Sequence, residues 1–134
     1  MHRAVYCGRV KLVGEEDERT LRAANNYASS LVDRKRFDEA RALLRKRLRV
    51  ARRILGEGHR LTLKMRTLYA KALYKDSGST ESTLDDLREA ATTLEEIERI
   101  ARRVFGGAHP LTTGIEGDLR YARAALRARE TPSS

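Results

Sequence analysis

The amino-acid sequence predicts an all-α solenoid, built from helical hairpins stacked side by side. Three observations carry this. First, the chain repeats itself: Val13-Gly14-Glu15-Glu16-Asp17-Glu18-Arg19-Thr20-Leu21 returns as Leu55-Gly56-Glu57-Gly58-His59-Arg60-Leu61-Thr62-Leu63 and again as Phe105-Gly106-Gly107-Ala108-His109-Pro110-Leu111-Thr112-Thr113, at glycine spacings of 42 and 50 residues. Self-similarity at such periods marks an array of one supersecondary unit, which presents an extended surface to other molecules. Second, Ala, Leu, Arg and Glu dominate and only two Pro occur in 134 residues, a helical composition. Third, the apolar residues between the repeated signatures fall at i+3 and i+4 spacing, one face of a helix.

The elements follow in order. Residues 1–13 occupy the place of the last turns of a preceding second helix, made poor by Gly8, and read as a partial helix or the remnant of an earlier repeat. Repeat 1 covers 14–55. Asp17 stands at an N-cap position with Glu18 in the first turn. Leu21, Ala24, Tyr27, Ala28 and Leu31 form the first stripe. Phe37, Ala40, Leu44, Leu48, Ala51 and Leu55 form the second, and Gly56 ends it. Repeat 2 covers 56–105. His59 takes the place of Asp17. Met65, Leu68, Tyr69, Ala72 and Leu73 make one stripe, and Leu84, Leu87, Ala90, Leu94, Ile97, Ala101 and Val104 the other. Eight residues are inserted near 76–82, a small polar loop, and Ser82 with Asp85 resembles a capping box. Residues 106–130 form a capping helix with Pro110 in its first turn, the stripe Ile115, Leu119, Ala122 and Leu126, and an outer face of Arg120, Arg123, Arg127 and Arg129. Residues 131–134 are a disordered tail. Because the chain starts in mid-repeat, the face of Leu21, Tyr27 and Leu31 is expected to lack a cover, to be satisfied by further repeats or by homo-oligomerisation through that end.

Composition excludes several classes. No apolar run approaches the roughly 18–20 residues of a membrane span, and the start has no signal-like stretch. The single cysteine, Cys7, forbids an internal disulfide, so a cytoplasmic chain is expected. Walker, dinucleotide and nucleophile-elbow signatures are absent, Cys7 has no histidine held near it, and Asp85 and Asp86 are adjacent rather than facing. No catalytic residue and no cofactor is therefore assigned. His59 and His109 share one repeat position, which loop or capping roles explain without a metal. The net charge of +9 admits nucleic acid, an anionic membrane, an acidic protein partner, or plain use of Arg on exposed helix faces.

Thr20-Leu21-Arg22-Ala23-Ala24-Asn25-Asn26-Tyr27-Ala28, Arg36-Phe37-Asp38-Glu39-Ala40 and Leu55-Gly56-Glu57-Gly58-His59 resemble tetratricopeptide repeats of the kinesin-light-chain type, whose units read T-L-x-x-x-N-N-L-A, G-x-Y-x-E-A and L-G-x-x-H-P-x-T-L. The likeness covers about residues 13 to 126. It implies a right-handed superhelix, with first helices lining a concave groove that grips extended peptides and second helices forming the convex back. It implies adaptor or scaffold roles and no catalysis. Three departures stand out. Lys35 replaces a turn glycine, Arg47 interrupts the Leu44–Leu48–Ala51 stripe and must snorkel or find a carboxylate such as Asp33 or Glu39, and Thr67-Leu68 replaces the Asn pair.

Register then places candidate sites. With Ala28 and Ala70 facing their partner helices, the groove side carries Arg22, Asn25, Asn26, Ser29 and Asp33 in the first unit and Lys64, Thr67, Lys71, Tyr74 and Lys75 in the second. Asn can donate to and accept from a peptide backbone, and Lys64, Lys71 and Lys75 lie along one side of a helix, favouring carboxylates. A protein or acidic-peptide partner is the first expectation. The alternative is polyanion binding through the convex stripe Arg41, Arg45, Arg49, Arg52 and Arg53, and the absence of Trp and of interleaved aromatics argues against nucleic acid there. A third reading makes the chain a piece of a longer scaffold or signalling protein. On the second back helix, Glu95–Arg99 and Glu98–Arg102 are set for favourable i,i+4 pairing.

Overall fold

The computed structural model describes residues 17–75 and 84–130. Among them are five helices and no strand: α1 (Glu18–Asp33), α2 (Phe37–Ile54), α3 (Arg60–Tyr74), α4 (Leu84–Phe105) and α5 (Pro110–Glu130). The partial helix at 1–13, Gly14, the Ser82 capping box and insertion near 76–82, and the tail at 131–134 lie outside the described residues.

The helix ends are set by the residues the repeats single out. Asp17 has extended backbone, and its carboxylate accepts the Arg19 amide at 2.7 Å. His59 and His109 do the same for α3 and α5: Nδ1 of each accepts an amide, from Leu61 and Leu111, at 3.0 Å. An accepting Nδ1 fixes the neutral tautomer that carries its proton on Nε2. Gly56 and Gly106 end α2 and α4 with φ of +91° and +92°. Both turns repeat one further bond, the histidine amide donating to the glycine carbonyl at 3.4 and 3.3 Å. Lys35, which replaces a turn glycine, takes the left-handed conformation regardless, at φ 62°. Its amide donates to Val32 and that of Arg36 to Leu31, satisfying the last carbonyls of α1.

The helices form two layers. α1, α3 and α5 lie in one; α2 and α4 lie in the other, each packed between its sequence neighbours. Fully buried alanines recur at matched positions: Ala28 and Ala70, Ala40 and Ala90, Ala51 and Ala101. With no side chain beyond Cβ, they let the helices approach closely, and Leu44, Leu63, Met65, Leu73, Leu94, Ile97 and Ile115 fill the remaining space.

Several expectations change. Leu21 and Leu31 are buried in the main core rather than uncovered, because α1 packs on both α2 and α3. Val104 is 51% exposed rather than part of the buried stripe. The antiparallel neighbour α3 begins only at Arg60, so the last turn of α4 lies beside Gly58 of the loop. Arg47 does not reach out to solvent; it is drawn in to 4% exposure and is engaged there. Glu98 pairs with Arg102 as expected, at 2.8 Å, but Arg102 also reaches Glu116 of α5 at 2.7 Å. Glu95 pairs with Arg123 of α5 at 3.6 Å and not with Arg99, so α4 is tied to the next helix instead of being self-neutralised.

Thr20, Thr62 and Thr112 are fully buried at the same repeat position. Thr62 Oγ1 donates to the Ala51 carbonyl at 3.5 Å, whereas Thr112 Oγ1 finds no partner. Thr112→Val should therefore be neutral or stabilise by up to about 1 kcal/mol, since it removes a stranded hydroxyl and keeps the shape. Lys35→Gly should add about 0.5–1 kcal/mol, the relief of a left-handed side-chain residue less the entropy of a freer unfolded chain. Urea unfolding with an unchanged slope checks both.

Candidate functional site

The layer of α1, α3 and α5 holds a trough. Its middle is a cavity of about 400 Å³ lined by Asn25 and Ser29 of α1, Lys64, Thr67 and Lys71 of α3, and Leu111, Gly114 and Asp118 of α5. Lys64 also borders a hollow of about 330 Å³ with Arg22, His59 and Arg60. Lys71 borders another, of about 670 Å³, with Tyr74, Lys75, Asp118 and Tyr121. The shared lysines join the three hollows end to end, with Lys64, Lys71 and Lys75 running along them.

Most residues assigned to the groove from register are thus brought together: Asn25, Ser29, Lys64, Thr67 and Lys71 in the middle, Arg22 at one end, Lys75 at the other. Asn26 and Asp33 are not. Both are exposed on α1 but off the lining, Asn26 because it lies about 100° around the helix from Asn25. Tyr74 borders the trough, yet it is a strut more than an open contact. It is buried, its hydroxyl donates to Asp118 Oδ1 at 2.6 Å, and its ring stacks on Tyr121 with centroids 6.5 Å apart. Burial, then the bond to Asp118, push the phenol above its ordinary range. Sequence reading missed Arg60 and the contribution of α5. The signal was present: carrying Lys64, Lys71, Tyr74 and Lys75 forward by the 50-residue spacing reaches Gly114, Tyr121, Ala124 and Ala125, all of which line the trough.

The electrostatics are basic with one acidic post. Among the described residues Lys64 and Lys75 form no ion pair, while Lys71 Nζ lies 4.0 Å from Asp118 Oδ2. Arg22 is paired with Glu18 at 2.8 Å. Thr67 spends its hydroxyl proton on the Leu63 carbonyl at 2.7 Å. Asn25 differs: its Oδ1 is buried and accepts no hydrogen bond. An acceptor stranded this way costs about 1–3 kcal/mol.

On the opposite face the arginine stripe is not uniformly open. Arg41 is half-buried, donating to the Ala72 carbonyl at 3.1 Å and pairing with Asp38. Arg45 donates to the Tyr69 hydroxyl at 3.1 Å, Arg52 lies 3.4 Å from Glu57, and Arg53 is engaged. Arg45, Arg49 and Arg52 meet Arg66 of α3 in a separate cleft.

Residues 19–82 match the tetratricopeptide repeat family. The two layers of antiparallel helices form an all-α solenoid, and the match over residues 19–82 supports tetratricopeptide units there, a class that generally mediates protein–protein interaction. No curated protein and no solved structure matches the chain. No described helix is long and apolar enough to cross a membrane.

Arg66, 5% exposed, is held by Glu96 of α4 at 2.7 Å and by Glu57 at 3.5 Å. The hydrogen bond from Arg66 holds the Glu96 carboxyl below its usual range. Because the folded value is depressed, this stabilisation is complete above the ordinary carboxylate pKa and disappears as pH falls through the lowered one. Glu96→Gln should cost about 1 kcal/mol at neutral pH, a modest figure because the carboxylate is half exposed. Unfolding of both proteins across pH 7 to 3 should show the difference shrinking toward zero.

Proposed function

We propose that the chain is a protein-interaction module whose trough takes an extended peptide bearing carboxylates, on acidic side chains or at a free C-terminus. The observation that supports this most is the line of Lys64, Lys71 and Lys75 along one trough, with Asn25 lining the same cavity as the first two. The carboxylates of a peptide would meet the lysines as it lies across the cavity that Asn25, Ser29 and Thr67 also line. Lys71 is available because its tie to Asp118 is long. Gly114 leaves room on the α5 side: a Cβ built there meets nothing within 4 Å. The kinesin-light-chain type of repeat is the finer reading we favour. The matched Gly56–His59 and Gly106–His109 turns support it.

Acidic peptide libraries titrated against wild type and the Lys64→Glu/Lys71→Glu double variant test the proposal. At least a tenfold loss of affinity is expected, about 1.4 kcal/mol; equal affinity would overturn it. Gly114→Leu should block the same peptides with the fold intact by circular dichroism, since the added side chain enters open space.

A further inference from the structure

We propose that the cleft between α2 and α4, on the face opposite the trough, binds a phosphate group. The cleft encloses about 250 Å³. α2 supplies Arg45, Arg49 and Arg52 at i, i+4 and i+7; α3 supplies the floor, Arg66 and Tyr69; α4 supplies Thr93 and Glu89. One lining carboxylate, Glu89, accepts the Tyr69 hydroxyl at 3.1 Å, and Arg66 is paired with Glu96 at 2.7 Å and Glu57 at 3.5 Å, which leaves the α2 arginines to meet a ligand.

The donors there are not used up. Arg49 forms no ion pair among the described residues. Arg66 forms the floor: its terminal nitrogens go to Glu96 and Glu57, and its Nε is buried without a hydrogen-bond partner. Arg52 and Arg66 both reach for one oxygen, Glu57 Oε1, at 3.4 and 3.5 Å. Both distances are long for a charge-assisted bond, as expected when two cations share one acceptor.

The next unit shows that the fold does not require this cluster. Moving by the 50-residue spacing, Arg45, Arg49, Arg52 and Arg66 become Glu95, Arg99, Arg102 and Glu116. There Arg102 bonds Glu116 at 2.7 Å and Glu95 meets Arg123, so charge is balanced within the protein. In the first unit the corresponding pair is Arg52 with Arg66, like charges at the same architectural position; the Glu96 bond at 2.7 Å compensates Arg66 and leaves Arg52 with only its long approach to Glu57 at 3.4 Å. Like charges on one helix stripe also repel at i,i+4. A tetrahedral dianion relieves both repulsions. The guanidinium fork matches phosphate oxygens two at a time, and the Thr93 hydroxyl adds a neutral donor.

The phosphate can be free in solution or carried on a phosphorylated side chain, and the test separates these sources. Inorganic phosphate and a phosphoserine peptide are titrated separately, at constant ionic strength made up with chloride. The readout is the Nε–Hε resonances of Arg49 and Arg66. Saturable shifts are expected, with affinity falling at least fivefold in Arg49→Gln, an exposed position that should not disturb folding. A phosphopeptide binding at least tenfold more tightly than inorganic phosphate supports a protein-borne ligand; similar affinities support a small soluble phosphate. Linear shifts reproduced by chloride alone, or saturation unchanged in Arg49→Gln, would overturn the proposal. Trough ligands contact other residues, so Lys64→Glu/Lys71→Glu should leave phosphate binding unaltered.

Discussion

The close approach of helices at buried alanines is the constraint on which the rest depends. Ala28, Ala40, Ala51, Ala70, Ala90, Ala101 and Ala122 have no exposed surface, and each stands where a larger side chain would force two helices apart. Leucines and isoleucines supply most of the apolar burial around them, at roughly 1.5–3 kcal/mol for each large side chain fully removed from water. The alanines determine where those side chains meet. They hold α1, α3 and α5 near enough for Asn25, Lys64 and Gly114, on three different helices, to line one cavity.

Charge is handled differently on the two faces. On the trough side the lysines stay largely uncommitted, and the one carboxylate among them, Asp118, is fixed by Tyr74. On the other face arginines are drawn inward. Arg47 and Arg66 are nearly inaccessible, an arrangement tolerable only where carboxylates or other groups engage the guanidinium. Ion pairs from Arg66 to Glu96, from Arg102 to Glu116 and from Arg123 to Glu95 run between helices rather than along them. They thus help fix how successive helices sit against each other. The two exposed pairs, of Arg102 and Arg123, contribute little singly, and their value lies in orientation.

Repetition made most of the fold legible. A signature that returns with Gly at the helix exit and Asp or His at the next entry specifies both ends of a helix, and the structure places Asp17, His59 and His109 as caps and Gly56 and Gly106 as left-handed exits. The i+3/i+4 stripes identified the buried faces, Val104 apart, because a stripe does not reveal where the neighbouring helix stops. The lining of the candidate site was legible on α3, whose lysines follow helical spacing. It was less legible on α1, where two adjacent Asn look alike in sequence but point in different directions. It was missed on α5, which reads as an end piece when considered by itself. Which partner an acid chooses was also beyond sequence: Glu95 has Arg99 in register, yet Arg123 from another helix takes it. The cleft around Arg66 could not be seen from α2 alone, since its floor belongs to the following helix.

Packing chiefly between sequence neighbours has a mechanical outcome. α3 is the shared member: it touches α1, α2, α4 and α5. Most contacts are consequently short in sequence separation, which favours rapid assembly and lets the molecule behave as a linear chain of coupled units. Tilting the outer helices about α3 would widen or narrow the trough without breaking a hydrogen bond within any helix.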